Sequence, residues 1–207
     1  MQPLVEKLKM IVKKQMSPLD GTAHSYEHVD RVLRIATFLA KKEKADMELV
    51  QVGALLHDVG WTLGQPHNKT GAKLATEILK KIGYPENRSE KVVRIVLRHP
   101  LDFKAELETL EEKIVWDADK IDLLGAVGIA RAFHWGGKKP FETVLRHCFE
   151  EGIPIYDMLN TAAAKEISRE RHRRTVAFLS ALEQELSLRD LKIHYETVDT
   201  VLKQKSF

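Results

Sequence analysis

Apolar residues recur at helical spacing, at i, i+3, i+4 and i+7, along almost the whole of this 207-residue chain. Segments in which β-branched and polar residues alternate, as they do in half-buried strands, are nearly absent. We therefore expect an all-α protein, a helical bundle of about eight or nine helices. Hydrophobic residues make up 43% of the chain, which is enough to bury one core.

Turn clusters, glycines and prolines divide the periodic pattern into separate helices. Asp46 is expected to cap the third helix, which includes the His57-Asp58 pair and ends at Gly60. No repeat or flexible linker is evident, so we predict a single domain over 1–207, with C-terminal helices at about 141–205 packed on a core of about 17–133. The predicted helices span about 3–16, 26–44, 45–60, 69–82, 86–98, one or two within 107–133, then 141–151, 156–186 and 188–202.

Composition narrows the chemistry that the chain can support. Nine histidines accompany a single cysteine, Cys148, so a metal site would have to use imidazole and carboxylate ligands. The 33 basic and 30 acidic residues are spread along helical faces, which argues against a nucleic-acid partner. The sequence shows no signal-peptide pattern and no apolar run that could cross a bilayer, so we expect a cytoplasmic protein without a membrane partner.

Three polar side chains on two of the predicted helices face the apolar side. His28 shares its helical face with apolar residues at i+4, i+7 and i+11, namely Val32, Ile35 and Leu39. His57 and Asp58 follow an apolar helix and point toward neighbours such as Ala54 and Leu55. Burying a carboxylate without a partner costs several kcal/mol, so a compensating group is expected nearby.

Residues 114–127 present the same problem more sharply, because this segment is apolar on almost every face and still contains Asp117, Asp119 and Asp122. Asp119 lies one helical step from the apolar residues Val115, Trp116 and Leu123. Charges on a buried helix commonly serve a functional site. Two inward imidazoles and two inward carboxylates suit a divalent cation such as Mn, Fe, Co, Ni or Zn.

These residues resemble the H…HD…D signature of the HD superfamily of metal-dependent phosphohydrolases. The segment HSYEHVDRV at 24–32 looks like the HxxxHxxRV helix of that family, ALLHDVG at 54–60 is similar to its ALLHDIG segment, and DADKID at 117–122 resembles its DADRLD segment. The resemblance covers roughly 17–185, and its last part is similar to a largely uncharacterised bacterial and archaeal subgroup of HD hydrolases. Three short motifs in the expected order are far more specific than any one of them.

The resemblance implies an all-α hydrolase of small phosphorylated substrates, nucleotide-like esters included, that uses a metal-activated water. It implies one divalent ion (Mn, Mg, Fe, Co, Ni or Zn) held by His28, His57, Asp58 and Asp119. The expected catalytic residues are His57, Asp58, His99 and Lys120, and the expected substrate contacts are His24, Arg31, His67, His99 and Lys120. Lys120 or Arg31 would neutralise phosphate, while His67 or His99 would supply a proton or bind a second ion.

Other interpretations stay open at this point. Within the enzyme class, the alternative is a phosphodiesterase or pyrophosphohydrolase acting on a signalling nucleotide. Outside it, the chain could be an inactive regulatory domain that binds metal and nucleotide. Lys120 could extend to solvent and His24 could be a surface histidine. Formation of a homo-oligomer is also open. Substrate specificity is expected to reside in loops 61–68 and 134–140. Four further histidines are expected to be structural or at the surface: His134, His147, His172 and His194.

Overall fold

The computed structural model describes residues 2–191, and within them it contains helices and no strand. The all-α prediction is confirmed. The helix predicted at 188–202 and His194 lie mostly or wholly outside the described residues. The α-helices are α1 (Gln2–Met16), α2 (Tyr26–Glu43), α3 (Met47–Leu56), α4 (His67–Lys81), α5 (Glu86–Arg98), α6 (Leu110–Ile121), α7 (Gly125–Gly136), α8 (Phe141–His147), α9 (Ile155–Met158) and α10 (Ala162–Leu186).

The junction after α3 differs from the prediction in a way that matters for function. Asp46 caps α3 as expected, accepting a hydrogen bond from the Leu49 N–H at 3.1 Å. The helix ends at Leu56 rather than near Gly60, and a 3-10 helix, Val59–Leu63, follows. Gly60 serves close packing, because a Cβ there would lie 1.8 Å from the His67 carbonyl oxygen. The HD pair therefore lies between two helices, on a backbone packed against the start of α4.

The long helix predicted at 156–186 is interrupted. α9 ends at Met158 and α10 begins at Ala162. Between them, the backbone N–H groups of Asn160 and Thr161 both donate to the Asp117 carboxylate at 2.8 Å instead of continuing a helix. A buried side chain far away in the sequence thus determines where the helix breaks.

The described helices form two compact units. The first comprises residues up to 122 together with 159–167, and the second comprises 123–158 and the residues from 168 onward. In the first unit, α6 is buried from Ile114 through Ile121, as its apolar composition predicts. The second unit has its own small core around Val144, Cys148 and Leu179. Within residues 2–191, no helix combines the length and the apolar character that crossing a bilayer requires.

Candidate metal centre

The first unit brings together four buried ligand atoms from three places in the chain. His28 lies in the first turn of α2, His57 and Asp58 follow α3, and Asp119 lies near the end of α6. All four residues are at most 8% exposed. His28 Nε2 lies 3.3 Å from His57 Nε2, 3.3 Å from Asp119 Oδ1 and 3.5 Å from Asp58 Oδ2. We call these four residues the His–Asp centre.

The hydrogen bonds of the two rings indicate where their protons lie. His57 Nδ1 is 2.8 Å from the Ala54 carbonyl oxygen, which can only accept, so Nδ1 carries the proton and Nε2 has a lone pair. His28 Nδ1 is 2.8 Å from a carboxylate oxygen of Asp122, which again places a proton on Nδ1. Two imidazole lone pairs and two carboxylate oxygens therefore face one another. Acceptors gathered in this way require a cation between them.

The spacing and chemistry of these atoms fit a divalent metal. His57 Nε2 lies 3.7 Å from Asp58 Oδ2 and 3.9 Å from Asp119 Oδ1. Imidazole and carboxylate ligands bind such ions at about 2.0–2.2 Å, so neighbouring ligand atoms lie roughly 3 Å or a little more apart. The mixed nitrogen and oxygen set suits several first-row ions, and the identity of the metal stays open.

The electrostatics keep the His–Asp centre in the ionisation state that a metal needs. Burial lowers the pKa of His57 to about 4, so its ring is neutral at pH 7. Burial acts to raise the pKa of Asp58, but the imidazoles around it, with His24 as a hydrogen-bond donor, hold that pKa well below its ordinary range. For Asp119 burial acts in the same direction, and the Lys120 ammonium holds the pKa low. Neutral imidazole and ionised carboxylate are the metal-binding forms.

A second trio of ligand atoms shares Asp58 with the His–Asp centre. His99 Nε2 lies 3.2 Å from Asp58 Oδ1 and 3.0 Å from His67 Nε2. His99 Nδ1 bonds to the Val96 carbonyl oxygen at 2.7 Å, so its Nε2 also carries a lone pair. Burial lowers the pKa of His67 to about 4. In the described part of the chain, two groups of three residues have metal-ligand spacing: His28, His57 and Asp119, and Asp58, His67 and His99.

Known proteins are similar to this chain over most of its length. The family model of the HD domain matches residues 25–124. Protein YpgQ of Bacillus subtilis (strain 168), described as uncharacterized, is 30% identical over 177 residues, which cover 81% of this chain and 86% of YpgQ. The chain belongs to the HD family. The expectation drawn from its three motifs is confirmed.

Solved structures agree with this assignment. The crystal structure of Bacillus subtilis YpgQ in complex with ADP is 27% identical to this HD protein, with a TM-score of 0.72, and the match covers 87% of this chain and 97% of that one. An HD-superfamily hydrolase from Bacillus thuringiensis is 30% identical, with a TM-score of 0.73, covering 90% and 98%. The likeness therefore extends well beyond the residues that the family model matches.

Both cations that the sequence suggested as phosphate contacts are bonded to carboxylates in this HD protein. The Lys120 ammonium donates to Asp119 Oδ2 and to the His99 carbonyl oxygen, and its side chain is only 8% exposed. Arg31 donates to both oxygens of Asp122, from Nε at 2.8 Å and from Nη2 at 3.0 Å. The Lys120 ammonium, which the sequence suggested as a phosphate contact, thus offsets the negative charge of Asp119, a metal-ligand candidate.

An aromatic stack flanks the carboxylate of the HD pair. The Trp61 indole stacks with the rings of His24 and His67, with centroid distances of 4.1 and 4.4 Å. His24 Nδ1 lies 3.2 Å from Asp58 Oδ2, opposite the side of Asp58 that faces His67 and His99. Trp61 therefore contacts two of the histidines that lie beside Asp58.

Two residues of the site were not assigned a role from the sequence. The sequence pattern places Trp61 only at the start of loop 61–68, although its position three residues after Asp58 puts it in the same turn. Asp122 was noted as a charge on an apolar helix and given no partner. The spacing of His28 and Arg31 at i, i+3 on α2 was an available signal that both could reach one carboxylate.

Proposed function

We propose that this HD protein is a metal-dependent phosphohydrolase that hydrolyses a phosphate ester of a nucleotide or of another small phosphorylated metabolite. The observation that carries the proposal is the His–Asp centre, in which four buried acceptor atoms face one another. The HD-superfamily hydrolase of Bacillus thuringiensis and the ADP complex of YpgQ support the reaction class and the kind of substrate.

The His–Asp centre would hold the metal through His28, His57, Asp58 and Asp119. When bound, a divalent ion supplies Lewis acidity and lowers the pKa of a coordinated water. Lys120 keeps Asp119 Oδ2 neutralised, which leaves Oδ1 to face the centre. His28 and His57 present lone pairs because Nδ1 of each ring is already bonded.

The second trio is suited to handle the proton that the leaving group needs. His99 donates from Nδ1 to the Val96 carbonyl oxygen, so its Nε2 is unprotonated. The 3.0 Å contact between Nε2 of His99 and Nε2 of His67 therefore contains one proton, and His67 carries it. Hydrolysis forms a bond from water oxygen to phosphorus and breaks the ester P–O bond, and the departing oxygen takes up a proton. Because the pKa of His67 is about 4, its neutral ring has no acidic proton to give at pH 7. The proton therefore comes from the attacking water: an Nε2 lone pair of this trio accepts it, and the imidazolium so formed delivers it to the departing oxygen.

A pyrophosphohydrolase or phosphodiesterase would use the same centre. ADP contains a phosphoanhydride bond, so its presence in YpgQ favours testing nucleoside di- and triphosphates beside monoesters and diesters. The bond broken decides between these activities. With a nucleoside triphosphate, release of inorganic phosphate indicates cleavage of the terminal anhydride bond and release of pyrophosphate indicates cleavage between the α- and β-phosphorus atoms, while a nucleoside monophosphate from a cyclic dinucleotide indicates a phosphodiesterase.

The test uses the full chain, freed of metal with EDTA and reloaded separately with Mn, Mg, Fe, Co, Ni or Zn. Elemental analysis gives the metal content, and product analysis follows a panel of monoesters, nucleoside di- and triphosphates and cyclic dinucleotides. We expect turnover that EDTA abolishes and that neither His57→Ala nor Asp58→Ala retains. His147→Ala is the matched control, because it removes an imidazole that bonds to Glu151 in the second unit.

Absence of turnover with every ion and substrate would overturn the proposal. Saturable binding of a nucleotide without product would instead favour a regulatory domain. Equal activity in wild type and Asp58→Ala would place any observed hydrolysis outside the His–Asp centre.

A further inference from the structure

Three buried histidines surround Asp58, and each donates a hydrogen bond from Nδ1. The three acceptors are not of the same kind. His57 and His99 bond to the carbonyl oxygen three residues earlier, at Ala54 and Val96. Both rings lie at the C-terminal end of a helix, where the last carbonyl groups lack intrahelical partners. The orientation of these two rings is therefore built into the ends of α3 and α5.

His28 Nδ1 contacts a residue from another helix instead, and His28 lies in the first turn of α2. At that end of a helix the unpaired backbone groups are N–H donors, which cannot accept a proton from Nδ1. The acceptor comes from another helix: Asp122, the residue after α6, lies 2.8 Å from His28 Nδ1 and is fully buried. Asp119, three residues earlier, faces Nε2 of the same ring at 3.3 Å. Two carboxylates at the end of α6 therefore contact the two ring nitrogens of His28.

Asp122 is in turn held by Arg31. The guanidinium donates from Nε to Oδ1 and from Nη2 to Oδ2, a two-point contact that fixes the plane of the carboxylate. Arg31 also supplies the positive charge that a fully buried carboxylate needs. One turn of α2 therefore contains both the metal-ligand candidate and the cation that stabilises its orienting group.

We propose that Asp122 and Arg31 are a positioning pair for His28. Asp122 keeps the proton on Nδ1 and directs the Nε2 lone pair into the His–Asp centre, and Arg31 keeps Asp122 in place. Arg31 acts on the metal through Asp122 and does not bind the substrate phosphate. The proposal rests on the proposed metal-dependent function, and it gives Arg31 a role different from the one expected from the sequence.

The experiment compares full-length wild type with Asp122→Asn and Arg31→Gln. Arg34→Gln is the matched control, since Arg34 lies on the same helix, is 70% exposed and pairs only with Asp30 among the described residues. The first readout is Mn²⁺ affinity without substrate, from titration calorimetry or from free Mn²⁺ by paramagnetic resonance. We expect Asp122→Asn to weaken binding by about 10–100-fold and Arg31→Gln by up to about 10-fold, with Arg34→Gln unchanged.

The second readout is the tautomer of His28 in the metal-free protein, from ¹⁵N-histidine NMR spectra. We expect a protonated Nδ1 and an unprotonated Nε2 in wild type. Asp122→Asn should populate the other tautomer, because an amide can donate as well as accept and no longer selects one ring nitrogen. Arg31→Gln serves where Asp122→Asn fails to fold, since the Arg31 side chain is 27% exposed.

The third readout is the affinity for ADP at saturating Mn²⁺, which distinguishes positioning from phosphate binding. Unchanged ADP affinity in Arg31→Gln together with weakened Mn²⁺ binding supports the proposal. Weakened ADP binding with unchanged Mn²⁺ affinity would overturn it, and so would a His28 ring that is protonated on Nε2 in wild type. If wild type binds no divalent ion, the proposed function fails, while the tautomer measurement still decides whether Asp122 orients His28.

Discussion

Asp117 and Asp119 lie two residues apart on α6, and both carboxylates are buried, yet they face entirely different surroundings. Asp117 accepts four hydrogen bonds of 2.8 Å from neutral groups, two from Asn160 and two from Thr161. Asp119 contacts the Lys120 ammonium on one oxygen and, on the other, the lone-pair side of two imidazoles. The protein therefore fills the hydrogen-bonding capacity of the Asp117 carboxylate but not that of Asp119.

This difference separates a structural carboxylate from a metal-ligand candidate. At Asp117 burial raises the pKa even though four donors oppose it, and the carboxylate stabilises the break between α9 and α10. At Asp119 the neighbouring Lys120 ammonium more than offsets burial, and the pKa falls well below its ordinary range. Burial alone therefore does not identify a ligand. A metal-ligand candidate is identified instead by a carboxylate oxygen that faces other hydrogen-bond acceptors.

The largest effect is expected from Asp119→Asn, which removes a charge from the His–Asp centre while keeping an oxygen for Lys120. Metal affinity and hydrolysis should fall by more than the roughly 100-fold that loss of an outer-shell partner costs. Mn²⁺ titration and turnover measure both, with circular dichroism in EDTA to check the fold. Retained Mn²⁺ affinity would contradict the distinction between the two carboxylates.

Asp117→Asn should produce the opposite result. The amide nitrogen would face two N–H or O–H donors that now lack an acceptor, so the free energy of unfolding should fall by about 2–4 kcal/mol. Mn²⁺ affinity of the folded protein should stay unchanged. Urea unfolding in EDTA measures the first quantity and calorimetry the second.

The control for this variant is Asp157→Asn, an exposed aspartate on α9 close to the same segment. It should change the unfolding free energy by no more than about 0.5 kcal/mol. An Asp117→Asn protein as stable as the control would show that the four hydrogen bonds do not hold the break.

The smallest effect, counted per pH unit, concerns pH in the metal-free protein. The folded pKa of His57 is about 4, below the ordinary value of 6.5, so the unfolded chain binds a proton first as the pH falls. Stability from the neutral ring is therefore complete above about pH 6.5 and is lost between there and pH 4, by up to about 1.4 kcal/mol per pH unit. Asp119 adds a loss at lower pH, whereas Asp117, with its raised pKa, acts in the opposite direction.

Urea unfolding in EDTA between pH 7.5 and pH 4 measures this dependence. His57→Gln should reduce the slope by about one proton in that window. An unchanged slope would mean that His57 is not held neutral by burial.

Much of the site was predictable because helical periodicity is a local property. It placed His28 on an apolar face and identified Asp119 as a charge on a segment that is buried from end to end. The HD pair was predicted on a helix, but it lies in the junction after α3, because the Gly60 backbone packs against the start of α4. The residue types were evident from the sequence, while the local backbone depended on packing.

The partners of each charge could not be predicted in the same way. His28 and Asp122 are 94 residues apart, and Asp117 and Asn160 are 43 apart. A sequence pattern states which side of a helix is buried but not which distant group lies opposite, since that depends on how the helices pack.

The sequence by itself determined that this chain is helical, that it belongs with the HD proteins, and which imidazoles and carboxylates face inward. Only the tertiary structure decided that Asp117 is satisfied by Asn160 and Thr161, that Lys120 and Arg31 are engaged by carboxylates, and that His28 is oriented from α6. The physical reason is that burial of an apolar face follows from local composition, whereas compensation of a buried charge requires a specific partner brought from elsewhere in the chain.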